Sequence, residues 1–189
     1  MARVKRVDNS RKPHTCGRGG HEIPKGESYL TASPGYRGRP KYRCLRHPFR
    51  PSELTTSAAS EPMSAVESFE DAAAVGFSTI EDLQSAWDDL RSAVEEYQQM
   101  REAALEAWEH GNSQFEEYVE TANAALEEVE GFTPEEWSGD DEPERDDYPA
   151  DDDGQDEFDA AWNEWEDAHS QHVTEQTDEA LSVAGSLEF

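Results

Sequence analysis

The chain has 189 residues, of which 34% are hydrophobic and 32% charged, a composition that excludes one large apolar core and favours several small units. Its net charge of −28 is split by position: residues 1–55 hold thirteen of the sixteen Lys and Arg and four acids (Asp8, Glu22, Glu27, Glu53), near +9, and the remainder sets three Arg against forty acids, near −37. No run approaches the roughly 18 apolar residues of a membrane helix, and the basic first residues have no apolar run behind them. No membrane partner and no export signal are therefore predicted, and the location is cytoplasmic, or a host cytoplasm or virion for a viral protein.

Residues 1–13 read as a basic arm without periodicity. Residues 14–55 read as a Gly- and Pro-punctuated unit with two short strands, over 28–32 and 40–43. A Ser/Thr/Ala-rich linker, 56–63, follows. Ser64 with Glu67 forms a capping box opening a short helix that ends near Val75, with Gly76 as its C-cap, and Ser78 with Glu81 repeats the device.

From Ile80 the apolar residues keep a seven-residue frame, Ile80, Leu83, Trp87, Leu90, Val94, Tyr97, then Ala104, Trp108, Phe115, Tyr118, Ala122, Ala125, Val129 and Phe132, broken only at Arg101 and Gly111. Such a stripe argues for helix in spite of the charge. Two architectures fit: one continuous coiled coil, or a helical hairpin turning at His110-Gly111-Asn112-Ser113, which the Gly-Asn pair favours. The acidic helical region thus covers 64–137, with a further short helix predicted where Thr133-Pro134-Glu135-Glu136 supplies an N-cap, a Pro and acids. Residues 138–157 are an acidic, Pro-interrupted disordered linker, and 158–189 hold a last amphipathic helix marked by Phe158, Ala161, Trp162, Trp165 and Ala168.

The chemistry concentrates in the head. Two cysteines in a reducing compartment favour metal ligation over a disulfide. Cys44 and His47 are spaced so that one turn presents both side chains to one ion, Cys16 supplies a third ligand, and the fourth is His21 or His14, of which His21 lies inside the loop that wraps the metal. Ile23, Tyr29, Leu30, Tyr42 and Phe49 are too few to hold about 40 residues without a staple. The predicted cofactor is therefore a structural zinc whose binding is folding free energy. Glu166, His169 and His172 share a helical face, but one Glu-x-x-His segment is half of a di-metal carboxylate site.

The segment Cys16-Gly-Arg-Gly19-Gly20-His21-Glu-Ile23-Pro-Lys-Gly26-Glu-Ser-Tyr29, followed by Tyr42-Arg43-Cys44-Leu-Arg-His47, resembles the small zinc-finger proteins of tailed phages and haloarchaeal viruses. It is similar in outline to the poly(ADP-ribose) polymerase type of finger. Cys16, Gly20, Ile23, Gly26, Tyr29, Cys44 and His47 match the pattern across residues 14–55, and Gly19 departs from it, standing where a second cysteine belongs. The resemblance implies a metal-stapled fold more than a role. Abundant Asp and Glu with only four Lys resembles halophile proteomes, where hydrated carboxylates keep a protein soluble in molar salt.

No Ser/His/Asp series, phosphate-cradling glycine loop or paired-carboxylate pocket is present, so no enzyme is predicted. The leading expectation is a zinc-binding adaptor. Its head, through Arg3, Lys5, Arg6, Arg11 and Lys12, contacts nucleic acid or an acidic protein, and its helical region binds protein partners or itself. The alternatives are a structural or assembly protein whose coiled coil sets the oligomer state, and an acidic nucleic-acid mimic.

Overall fold

The computed structural model describes residues 2–34, 38–108, 113–149 and 152–189. It divides into two units, with the boundary between Glu67 and Ser68.

The first unit is built on short strands. Strands β1 (Lys5–Val7), β4 (Tyr29–Ala32) and β5 (Lys41–Cys44) form an antiparallel sheet in the order β1-β4-β5, and β2 (His14–Thr15) pairs with β3 (Glu22–Ile23) as a small hairpin. The two predicted strands match β4 and β5, but the basic arm departs from its reading. Lys5, Arg6 and Val7 pair with Thr31, Leu30 and Tyr29, and Ser10 is fully buried, donating its N–H to Glu27 O and accepting from Gly26 N. Three residues are too few to show a period of two, so their pairing is decided by the edge that β4 offers.

Side-chain alternation then sorts the sheet. Val7, Tyr29, Tyr42 and Cys44 share one face, where Cys16, Ile23 and Cys44 form the core with Tyr29 packed on it. Arg43 points to the other face. There its side chain, 8% exposed, pairs with Glu53 in the 3-10 turn Pro51–Leu54, bonds Tyr42 O and lies 5.2 Å from the Phe49 ring.

Helix α1 (Ser60–Val75) begins inside the segment read as a linker, four residues before the predicted cap at Ser64. Glu67 is tied to the head: its carboxylate accepts from the N–H and the hydroxyl of Ser52, and Arg50 bonds its carbonyl, so this end of α1 is held there. The predicted stop is present, with Gly76 at φ 94° and its N–H on Ala72 O and Ala73 O.

The second unit is helical. In α2 (Ile80–Glu106) the N-cap is Thr79, whose hydroxyl accepts from Asp82 N, one residue beyond the predicted Ser78. Helix α3 (Ser113–Gly131) returns antiparallel to α2: Trp87 donates to Val129 O, Gln98 bonds Asn123, and Trp108 meets Phe115 at 5.6 Å. This is the hairpin rather than the continuous coiled coil. Its turn at 110–113 lies outside the described residues except for Ser113. The stripe is buried at Ile80, Leu83, Trp87, Leu90, Val94, Tyr97, Ala122, Ala125, Val129 and Phe132. Arg101, the break in the frame, lies between the rings of Tyr97 and Tyr118, at 4.8 and 4.7 Å.

The helix predicted at 133–136 is not formed. The segment carries no regular secondary structure and is tied to α4 (Asp152–Ser186), with Glu135 N donating to Gln176 Oε1 and Glu135 O accepting from His172 Nε2. These bonds satisfy the groups a helix would have used. Helix α4 also starts within the stretch read as disordered. Its packed half is Val173, Gln176, Thr177, Ala180 and Ala184, C-terminal to the aromatic residues that mark it in the sequence. Among the described residues, no helix is long and apolar enough to cross a membrane.

Candidate metal centre

Two tight turns bring four side chains to one point. In the first, Gly20 N donates to Cys16 O at 2.8 Å and Cys16 N to His21 O at 2.9 Å, closing residues 16–21 into a knuckle that joins β2 to β3. Gly20 lies at φ 66°, a left-handed conformation that a residue with a Cβ adopts at a cost. In the second, His47 N donates to Cys44 O at 3.1 Å, so the chain reverses as it leaves β5 and returns the His47 ring over Cys44.

The ligand atoms of Cys16, His21, Cys44 and His47 all lie within 4.8 Å of one another and can hold a metal ion. His47 Nδ1 is 3.4 Å from Cys44 Sγ and 3.7 Å from Cys16 Sγ. Both sulfurs are buried, His47 is half-buried and His21 is exposed. The protein therefore covers the thiol side of the site and leaves an imidazole on its surface. Burial pushes the Cys16 thiol up, but N–H groups of Cys44, Gly19 and Arg18 together with the His47 ring more than offset it and hold the group at about 6, which favours thiolate at neutral pH.

The departure at Gly19 has a steric reason. A Cβ built there would stand 2.5 Å from His21 Nδ1 and 2.6 Å from His47 Cε1. The two imidazoles occupy the volume that a side chain at position 19 would need. A side chain at position 19 would therefore displace one of these rings, and the glycine leaves both in place.

His14, the other candidate ligand, is elsewhere. On β2 its ring packs against Tyr42 at 4.0 Å and Tyr29 at 4.7 Å, outside the four-residue cluster. Arg3, Lys5, Arg6, Arg11 and Lys12 are all exposed, and Arg6 also pairs with Asp8 at 2.8 Å. None joins the metal cluster. On the helical unit, His169 stacks on Trp165 at 5.0 Å and His172 serves Glu135 O, so neither assembles with Glu166 as a metal group among the described residues.

Sequence reasoning passed over the support behind the ligands. The Arg43–Glu53 pair joins the strand carrying Cys44 to the turn beyond His47, and Glu53 also accepts from Arg50 N at 3.0 Å. Burial raises the Glu53 carboxyl, yet the Arg43 side chain and the Arg50 N–H outweigh it and hold the group below its ordinary range. No spacing rule links positions 43 and 53. The one available signal was an Arg placed between strand residues that the core requires.

No family model matches the chain, and no curated protein or solved structure matches it at a significant level.

Proposed function

We propose that the head is a zinc-stapled binding module that contacts nucleic acid, and that the chain is a non-enzymatic adaptor whose helical unit engages protein. The observation that carries the metal reading is the shape of the ligand cluster. With Zn–S at about 2.3 Å and Zn–N at about 2.0–2.1 Å, a tetrahedral ion sets sulfur and nitrogen about 3.6 Å apart. The distances of 3.4 and 3.7 Å from His47 Nδ1 to the two sulfurs fall on either side of that value. Two Cys and two His complete four-coordination without leaving a position for water, which is the pattern of a structural ion.

The nucleic-acid reading rests on charge. A head near +9 with five exposed cations in its first twelve residues suits a phosphate backbone, whose contacts fix position and carry no sequence information. For the helical unit, Trp108 and Met100, 49% and 43% exposed near the hairpin tip, favour a protein partner or a second copy.

Metal analysis of the purified full-length chain should find one zinc per chain, and Cys44→Ser should release it and unfold the head while most of the helical signal remains. Absence of stoichiometric zinc refutes the reading. If five phosphate contacts form, duplex affinity should fall with log salt at a slope of about −4.5.

A further inference from the structure

The sheet face that carries Cys44 also carries a second feature, away from the metal. A cleft of about 480 Å³ is lined by Val7, Asn9, Arg11, Lys12, His14, Tyr29 and Tyr42. Three of these are rings in mutual contact: His14 lies 4.0 Å from Tyr42 and 4.7 Å from Tyr29, and the two tyrosines meet edge-on at 5.8 Å. All three are half-buried, so each keeps part of its surface open.

The charge of the lining is informative because of its surroundings. The chain holds forty-four acids, yet none lines this cleft, whereas Arg11 and Lys12 do. An aromatic floor with a cationic rim and no carboxylate fits a ligand that is flat on one part and anionic on another. A nucleotide is such a ligand.

We propose that this cleft binds single-stranded nucleic acid, with a base stacked on the His14–Tyr42 rings and the adjoining phosphates held by Arg11 and Lys12. This rests on the reading of the head as a nucleic-acid module and makes it specific. Duplex bases already stack on one another and withhold their faces, so the rings discriminate in favour of unpaired strands. Salt sharpens the distinction. Phosphate contacts weaken as counterions compete, but a stacked base is held by contact that salt does not screen.

The test uses the full-length zinc-loaded chain and three probes: a short oligothymidylate, a duplex of the same length, and inorganic polyphosphate. The oligothymidylate should bind most tightly. Tyr42→Leu should weaken it about tenfold with zinc content unchanged, while Tyr42→Phe, which keeps the ring, should stay within about twofold. Arg11→Ala with Lys12→Ala should flatten the single-strand salt slope by about 1.4, the share of two phosphates. Photocrosslinking of the unaltered chain to an oligonucleotide carrying 5-iodouracil needs no variant, and adducts should fall on Tyr42, Tyr29 or His14. Adducts confined to other residues, or polyphosphate binding as tightly as oligothymidylate with no effect of Tyr42→Leu, overturn the stacking site and leave the phosphate reading of the head standing. Failure of all three probes to bind overturns both.

Discussion

At the scale of single residues, the metal cluster is a packing problem as much as a coordination problem. Gly19 contributes space, because the rings of His21 and His47 lie where its Cβ would be. Gly19→Ala should therefore force one imidazole aside and cost about 1–3 kcal/mol of metal-linked stability. A competition titration against a zinc chelator reads this as a lower affinity, and unchanged affinity would show that the rings yield freely. The pair Arg43–Glu53 gives a second test at this scale. Arg43 is 6% exposed, so Glu53→Gln leaves a buried guanidinium without its counter-charge, a loss of about 3 kcal/mol. The sign with pH follows from the lowered Glu53 pKa: its contribution is complete above the ordinary carboxyl value and is lost as pH falls through the folded value. The stability gap between the chain and Glu53→Gln should be widest near neutral pH and close in acid. A constant gap in denaturant melts across that range would contradict the pairing.

At the scale of elements, what was legible in the sequence is what local spacing controls. The ligands Cys16, His21, Cys44 and His47 stand out because turns fix short separations, and strands β4 and β5 and the stripe from Ile80 to Phe132 follow periodicity. What was hidden depends on partners distant in sequence. Strand β1 exists because β4 offers an edge. The cap signals at 133–136 are sound, yet Gln176 and His172, some forty residues later, take the backbone of Glu135, and no helix forms there. The packed face of α4 consists of Val, Ala, Thr and Gln, so it gives a weaker apolar signal than the half-buried aromatic residues before it. Gln176→Ala should release this segment. The loss of one partly buried hydrogen bond is about 1 kcal/mol, and amide exchange at Glu135 should accelerate by about fivefold while exchange in α2 is unchanged. Equal acceleration in α2 would mean that Gln176 supports the unit as a whole.

At the scale of the whole molecule, charge is the organising variable. Beyond Thr55 stand forty acids, three Arg and no Lys, so the i,i+4 Glu-to-Lys pairs that commonly offset repulsion along a helix are absent. The three cations have specific duties: Arg91 pairs with Asp88 at 2.8 Å, Arg101 lies between Tyr97 and Tyr118, and Arg145 bonds Gln155 and the carbonyls of Tyr148 and Pro149. Attraction therefore offsets little of the repulsion among exposed carboxylates. At low salt that repulsion acts over about 10–30 Å, across the width of a helical bundle, and at about 1 M it is confined to about 3 Å. The buried stripe of Leu83, Trp87, Leu90, Val94 and Val129 does not weaken over the same range. The melting temperature of the helical unit, followed by far-ultraviolet circular dichroism on the full-length chain, should accordingly rise from low salt to molar potassium chloride. Most of the rise should come at low salt, where the screening length changes most. Potassium chloride is the appropriate titrant because it screens without the strong exclusion from protein surfaces that sulfate shows. Replacing a few exposed glutamates of α2, such as Glu95 and Glu102, with glutamine should raise the low-salt melting temperature and reduce its salt dependence together. A melting temperature that stays flat with salt would mean that the carboxylates are already compensated, and the resemblance to halophile composition would then carry no physical consequence for this fold.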